Sequence, residues 1–268
     1  MDWSALPEPT LPKVALRYPL TMCANYVPVT SMDRLLQYFG VVRDRDEPPH
    51  DVYPMGLAPF IRLALPGEDP SPGPAQRNIV EDGIFRLVPD FVTKEAWARK
   101  TYNARSETVD KRANYKKAWA NGQRCIIPAE AIYEPNYESG GSVRWRIRKG
   151  NGEPMGIAGI YRTWTNPAGE DVVGMSMLTV NADDHPFMRQ FHAPGEEKRM
   201  VVILEQEDFQ GWLTCPVDEA KAKYCKQWHG ELVGEPAALP KRSPAAAKVP
   251  RAKPKEPPAG SGATGDLF

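Results

Sequence analysis

Beyond Gly122 the chain settles into two-residue alternation that only a sheet can satisfy. Val143, Trp145 and Ile147 alternate with Arg144, Arg146 and Arg148, and the stretches 125–127, 155–161, 172–180 and 200–204 are apolar runs of strand length. Successive side chains on a strand point to opposite faces, so this pattern predicts strands with one or both faces buried. Strands this numerous must pair or curl to hide their edges. The expected fold class is therefore α+β: a curled, mixed or antiparallel β-sheet, barrel-like, with flanking helices.

The first half is more mixed. Ser31 is a candidate N-cap, Met32, Leu35, Leu36 and Phe39 fall at helical spacing, and Gly40 is a stop signal. Residues 52–65 read as an irregular strand broken by Pro54 and Pro59, 66–74 as a proline-rich loop, and 84–88 as a strand. Residues 93–100 read as a helical turn, 114–122 as a half-buried helix ended by Gly122, and 207–213 as a last helix after strand 200–204. Residues 1–21, with Pro7, Pro9, Pro12 and Pro19, read as a disordered extension or as upstream codons outside the working protein. Residues 22–234 form the expected domain, and 235–268, rich in Pro, Ala and Lys and net positive, an expected disordered tail.

Formal net charge is zero over 268 residues, so any nucleic-acid surface has to be local. Cys23, Cys125, Cys215 and Cys225 are scattered without a Cys-x-x-Cys pair, no secretory leader opens the chain, and no apolar run reaches membrane length. A reduced cytoplasmic protein is expected. Cys215, Cys225 and His229 lack a fourth ligand and regular spacing, which favours ordinary thiols over zinc.

Four short segments carry the chemistry: Met22-Cys23, Asn103-Ala104-Arg105-Ser106-Glu107-Thr108, Tyr133-Glu134 and Phe191-His192. If the working chain starts after Met22, by initiation there, by proteolysis or by self-cleavage, Cys23 carries both an α-amine and a thiol. The amine attacks an aldehyde to give an imine, and the sulfur closes a thiazolidine ring. With a reference pKa of about 7.7–8.0, roughly one α-amine in seven is free base near pH 7, whereas lysine is almost wholly protonated. Taken singly, each residue also has an ordinary reading: a buried thiol for Cys23, a turn cap for Asn103, an exposed strand-end carboxylate for Glu134, a surface loop position for His192. As a group, Asn103 suits orientation of the nucleophiles, Glu134 at the end of an apolar run suits proton shuttling with a raised pKa, and His192 suits a second acid–base role.

In this order, the four segments resemble the SOS-response-associated peptidase (SRAP) family, whose members crosslink to abasic sites in single-stranded DNA; the resemblance runs from about Met22 to about Leu213. It maps the family's cysteine onto Cys23 and its asparagine onto Asn103. The glutamate, after Arg124-Cys125-Ile126-Ile127-Pro128-Ala129, maps onto Glu134, and the histidine before Arg199-Met200 onto His192, with His185 a competitor for that role. Phe85-Arg86-Leu87-Val88-Pro89 stands where the family has Trp-Gly-Leu-(Ile/Val)-Pro, and Ala24-Asn25-Tyr26 where it has Gly-Arg-Phe. The resemblance implies a DNA-damage enzyme that needs no metal or organic cofactor, with β-elimination at the abasic site as a side reaction.

Expected DNA contacts are Arg105, Phe85, Arg86, Arg144, Arg146 and Arg162, because guanidinium groups pair with phosphates and aromatic faces stack on unstacked bases. A solvated strand face is the alternative for Arg144–Arg148. Two rivals remain: a cysteine peptidase or hydrolase using Cys23 and His192, and a non-catalytic single-stranded-DNA-binding module. The terminal Leu267 and Phe268 resemble the end of sliding-clamp-binding peptides, a nucleoid-associated location fits such a protein, and a monomer is the simplest state.

Overall fold

The computed structural model describes residues 24–70, 77–89, 100–166 and 168–239. Cys23, the expected turn over 93–99, and Leu267 with Phe268 lie outside the described residues. The strands, in chain order, are β1 Asn25–Pro28, β2 Leu57–Leu63, β3 Asn78–Phe85, β4 Asn103–Arg105, β5 Arg124–Asn136, β6 Val143–Lys149, β7 Met155–Thr165, β8 Asp171–Asn181, β9 Arg199–Val201, β10 Ile203–Leu204 and β11 Leu232–Pro236. Pairing in the order β7-β8-β3-β2-β5 returns to β7, which closes a five-stranded barrel. Only the β3–β8 contact in that ring is parallel. The α+β expectation of a curled mixed sheet holds, and closure removes the edges that so apolar a sheet could not leave open.

Two long strands change partners along their length, and this builds the site. β5 pairs β7 from Arg124 to Ala129; from Ala131 onward it lies between β1 and β6, with Asn25 opposite Tyr133 and Trp145 opposite Glu134. Beyond the barrel, β5 thus carries Tyr133-Glu134 outward with a neighbour on each side. β8 pairs β7, β3 and β4 through its middle and then β9, with Met177 opposite Asn103 and Asn181 opposite Arg199.

Helices are few and short. Ser31 caps α1 (Met32–Arg34), which widens into a π-turn over Leu35–Phe39 and stops at Gly40, whose φ of 69° is the left-handed value glycine tolerates. The wider turn keeps Leu35 and Phe39 on the buried side and swings Leu36 out to 41% exposure, so Leu36 leaves the expected core face. Helix α2 is only Lys116–Ala120, and it buries Ala118 and Trp119. Helix α3 (Phe209–Thr214) packs on the barrel wall, the Trp212 indole donating to the Cys125 carbonyl at 2.8 Å and Phe209 stacking on Phe39 at 5.3 Å; α4 (Val217–Tyr224) packs on α3, Tyr224 edge-on to Trp212 at 5.9 Å. The expected strand over 52–65 is shorter, because Met55 (φ 81°) and a tight turn at Gly56 separate Val52 from β2. The strand expected over 84–88 runs Asn78–Phe85 instead. Sequence reading missed α4 and β11, and β11 extends through Glu235 and Pro236.

Gly174 marks where β8 passes against the end of β3. A Cβ there would sit 2.3 Å from the Arg86 carbonyl oxygen, a backbone atom with little room to retreat. Gly174→Ala is expected to cost about 1–3 kcal/mol through overpacking. Thermal and urea denaturation against wild type measure it, and an unchanged midpoint would contradict this packing.

Candidate active site

Glu134 and His192, fifty-eight residues apart, meet in the interior: His192 Nε2 lies 3.0 Å from Glu134 Oε2, with side chains 2% and 1% exposed respectively. Backbone pairing makes the meeting obligatory. The His192 amide donates to the Pro135 carbonyl at 2.8 Å, and Phe191 forms a bridge with Asn136, so the histidine segment is sewn to the end of β5. His192 holds φ at 66°, a left-handed value that costs a non-glycine residue about 1–3 kcal/mol and persists only where the surroundings enforce it. Lys198 adds to the enforcement, its ammonium donating to the carbonyls of His192 (3.1 Å) and Ala193 (2.9 Å). Burial opposes a charged imidazole, yet the charge and hydrogen bond of Glu134 outweigh it and raise the His192 pKa above the ordinary histidine value.

The other ring nitrogen has its own partner. The Arg199 backbone amide donates to His192 Nδ1 at 3.3 Å. Arg199 is 2% exposed and grips Glu107 with both terminal guanidinium nitrogens (2.9 and 2.8 Å), Glu197 at 2.7 Å and the Thr179 carbonyl at 2.8 Å. Partial burial pushes the Glu107 carboxyl up, but the Arg199 hydrogen bonds and charge prevail and hold its pKa below the usual range. Glu107 sits in the turn after β4, the strand that carries Asn103. Asn103 itself is buried, and its carbonyl accepts the Tyr115 hydroxyl at 2.8 Å. Arg199 therefore ties the Asn103 segment, β8 and the His192 segment into one unit. Glu107 lies past the end of β4 and pairs with Arg199, while Arg105 pairs with Glu197 at 2.5 Å.

His185 is elsewhere. Its Nδ1 accepts the amides of Phe187 and Met188 and its Nε2 lies 2.8 Å from the Trp228 carbonyl, so one nitrogen caps its own turn and the other ties that turn to the Trp228 segment. The three described cysteines have raised thiol pKa values through burial, Cys125 well above the ordinary value and Cys225 to about 12. Among the described residues no group of three or more His, Cys, Asp and Glu is placed to hold a metal ion, and no helix is long and apolar enough to cross a membrane.

The profile of the family described as SOS response associated peptidase (SRAP) matches residues 22–236. This chain belongs to that family. Curated relatives include the Bacillus subtilis (strain 168) "Abasic site processing protein YoqW", 25% identical over 194 residues that are 72% of this chain and 80% of the relative. Another is the Gallus gallus "Abasic site processing protein HMCES", 26% identical over 163 residues, 52% of this chain and 46% of that protein. Among solved structures, a Bordetella bronchiseptica protein is 36% identical with a TM-score of 0.72, covering 81% of this chain and 100% of its own. A Bacteroides thetaiotaomicron protein shares the fold at 19% identity, with a TM-score of 0.64 over 81% of this chain and 92% of its own.

Within this SRAP fold the anticipated DNA contacts separate into two groups. Phe85 is fully buried, edge-on to Tyr26 at 5.0 Å and tilted against Tyr102 at 5.5 Å, and Arg86 is 1% exposed with its guanidinium 3.4 Å from the Met55 sulfur. Both are core residues, packed against Tyr26, Tyr102 and Met55, which corrects their reading as exposed contacts for a base and a phosphate. Arg162 is also largely buried, and burial lowers its pKa. Arg105 and Arg146 are accessible, with side chains 48% and 32% exposed. Arg144 is braced: it pairs with Asp51, lies over the Tyr133 ring at 3.3 Å and donates to the Ala237 carbonyl.

Proposed function

We propose that this protein captures abasic-site aldehydes in single-stranded DNA through Cys23 as the first residue of the working chain. The observation that carries the proposal is the buried Glu134–His192 pair, one strand position from where β1 begins. Asn25 is opposite Tyr133, and Cys23 is two residues upstream of Asn25, so its amine and thiol are tethered within two Cα steps, about 3.8 Å each, of a residue adjoining the pair. The raised pKa values of the described cysteines leave Cys23 as the thiol to react near neutral pH.

The reaction balances as aldehyde plus aminothiol giving thiazolidine plus water. The α-amine nitrogen adds to the aldehyde carbon, and the amine proton leaves to a base. The resulting hydroxyl departs as water once protonated, leaving an iminium whose remaining N–H proton returns to the base to give the imine. Cys23 sulfur then adds to the imine carbon while its proton passes to the nitrogen. The Glu134–His192 couple is the acid–base group for these transfers, and His192 also assists opening of the sugar ring to its aldehyde. Asn103 orients the two nucleophiles, and Arg105 and Arg146 supply phosphate contacts, with Arg144 braced beside them. If the sulfur is lost, the imine is free to undergo β-elimination at the 3′ phosphate, a lyase activity. Release of Cys23 by self-cleavage is the peptidase reaction this site would perform. Such a protein works in the reduced, nucleoid-containing cytoplasm as a monomer, and Leu267 with Phe268 is the proposed hook for a sliding clamp.

The test is incubation of wild type, Cys23→Ala and an N-terminally blocked form with a single-stranded oligonucleotide bearing one abasic site, read on a denaturing gel. A heat-stable band with wild type alone supports the proposal. Equal bands from all three, or none from a wild type that mass spectrometry shows to start at Cys23, would refute it.

A further inference from the structure

We propose that Arg199 is a positioning residue for His192: its backbone amide fixes the Nε2–H tautomer, and its grip on Glu107 holds that amide in place. An imidazole nitrogen facing an N–H donor must offer its lone pair, so Nδ1 opposite the Arg199 amide at 3.3 Å carries no proton in the neutral ring. The proton then resides on Nε2 and is donated to Glu134 Oε2 at 3.0 Å. Inverted, the tautomer would set two N–H groups against each other and leave Nε2 without a proton for the carboxylate.

What keeps the amide there is the side chain of the same residue. The guanidinium fork closes on both Glu107 oxygens and on the Thr179 carbonyl, and Glu107 Oε1 also accepts the Asn181 amide at 3.1 Å. Asn181 is the register partner of Arg199, so one carboxylate bolts β8 to β9 at the level where the amide meets His192. At 2% exposure the Arg199 fork is unavailable to a phosphate, which leaves it to bracing the strands. The charged groups around His192 are Glu134 from β5, Lys198 and Glu196 from its own loop, and Arg199 from β9.

The catalytic consequence rests on the proposed aldehyde capture, but the tautomer does not. The chain has four histidines, so His192 can be assigned in an imidazole nitrogen–proton correlation spectrum by comparison with His192→Gln. Wild type is expected to show the Nε2–H tautomer. Glu107→Gln, at a side chain 46% exposed, and Arg199→Lys, which keeps the charge but loses the fork, are expected to show mixed tautomers and a higher His192 pKa, since the neutral form loses a donor. Plain removal of the Glu107 charge would instead lower that pKa. Single-turnover crosslinking at saturating DNA should fall roughly 10- to 100-fold in both variants, with DNA affinity unchanged within about twofold. A wild-type Nδ1–H tautomer, or variants with wild-type tautomer and pKa, overturns the positioning role. Variants that crosslink at the wild-type rate overturn its catalytic consequence. A wild type that never crosslinks sinks the aldehyde chemistry alone, because the spectrum still decides the tautomer.

Discussion

Leaving Met22 on the chain, or acetylating the Cys23 amine, is expected to abolish heat-stable attachment to abasic DNA, a larger loss than any other single change to this protein. An amide nitrogen has its lone pair delocalised into the carbonyl and cannot form an imine, so no neighbouring group can rescue it. Cys23→Ser separates the two nucleophiles. The serine amine still forms an imine, which borohydride traps, but the thiazolidine never closes, and β-elimination at the 3′ side should rise in its place. Cys23→Ser giving the same borohydride-independent crosslink as wild type would remove the sulfur from the mechanism.

Glu134→Gln is expected to lower the single-turnover rate by about 10²–10⁴-fold, the usual worth of a placed general acid–base group. Stability should fall too, in a pH-dependent way. In the folded protein the His192 pKa stands above the ordinary value of 6.5 because the Glu134 charge and hydrogen bond outweigh burial. Its protonation therefore stabilises the fold fully below the unfolded pKa, and that contribution fades as pH rises through the folded one. The wild-type advantage over Glu134→Gln should accordingly be larger near pH 5.5 than near pH 9, because the glutamine carries no charge to hold the imidazolium. Glu134→Ala, which leaves His192 without a partner in a dry interior, should cost about 3–5 kcal/mol at acidic pH. Urea denaturation of the three proteins at both pH values measures this; parallel pH profiles for wild type and Glu134→Gln would contradict the pairing.

The barrel was legible because strand periodicity is a local signal. Ile126, Ile127, Ile147, Ile157, Ile160, Met175 and Met177 are all buried where alternation or apolar runs placed them. Positions that depend on partners far along the chain were not legible. The sequence around Arg144 shows no sign of Asp51, ninety-three residues upstream, nor does Arg105 announce Glu197 or Arg199 announce Glu107. Surface arginines that looked poised for phosphates are thus partly committed to carboxylates, and the proposed phosphate contacts require such pairs to open or rearrange. Phe85 and Arg86 sit in the core for a related reason: Tyr26, Tyr102 and Met55, distant in sequence, pack over the end of β3. The short strand β11 escaped because Leu232-Val-Gly-Glu-Pro offers little apolar contrast with the tail that follows. Of the site, the four motif residues came from the resemblance, whereas the Arg199–Glu107 clamp emerged only from the three-dimensional pairing of β8 with β9.

Peptide mapping of the crosslinked protein after nuclease digestion, with the intact mass of the unreacted protein taken alongside, locates the reacting residue. The unreacted chain is expected to begin at Cys23, and the abasic remnant to sit on the peptide starting at Cys23 with a mass equal to the sum of the two reactants less one water, formed without borohydride. A remnant on a lysine, or on a chain still carrying Met1, would contradict capture through Cys23.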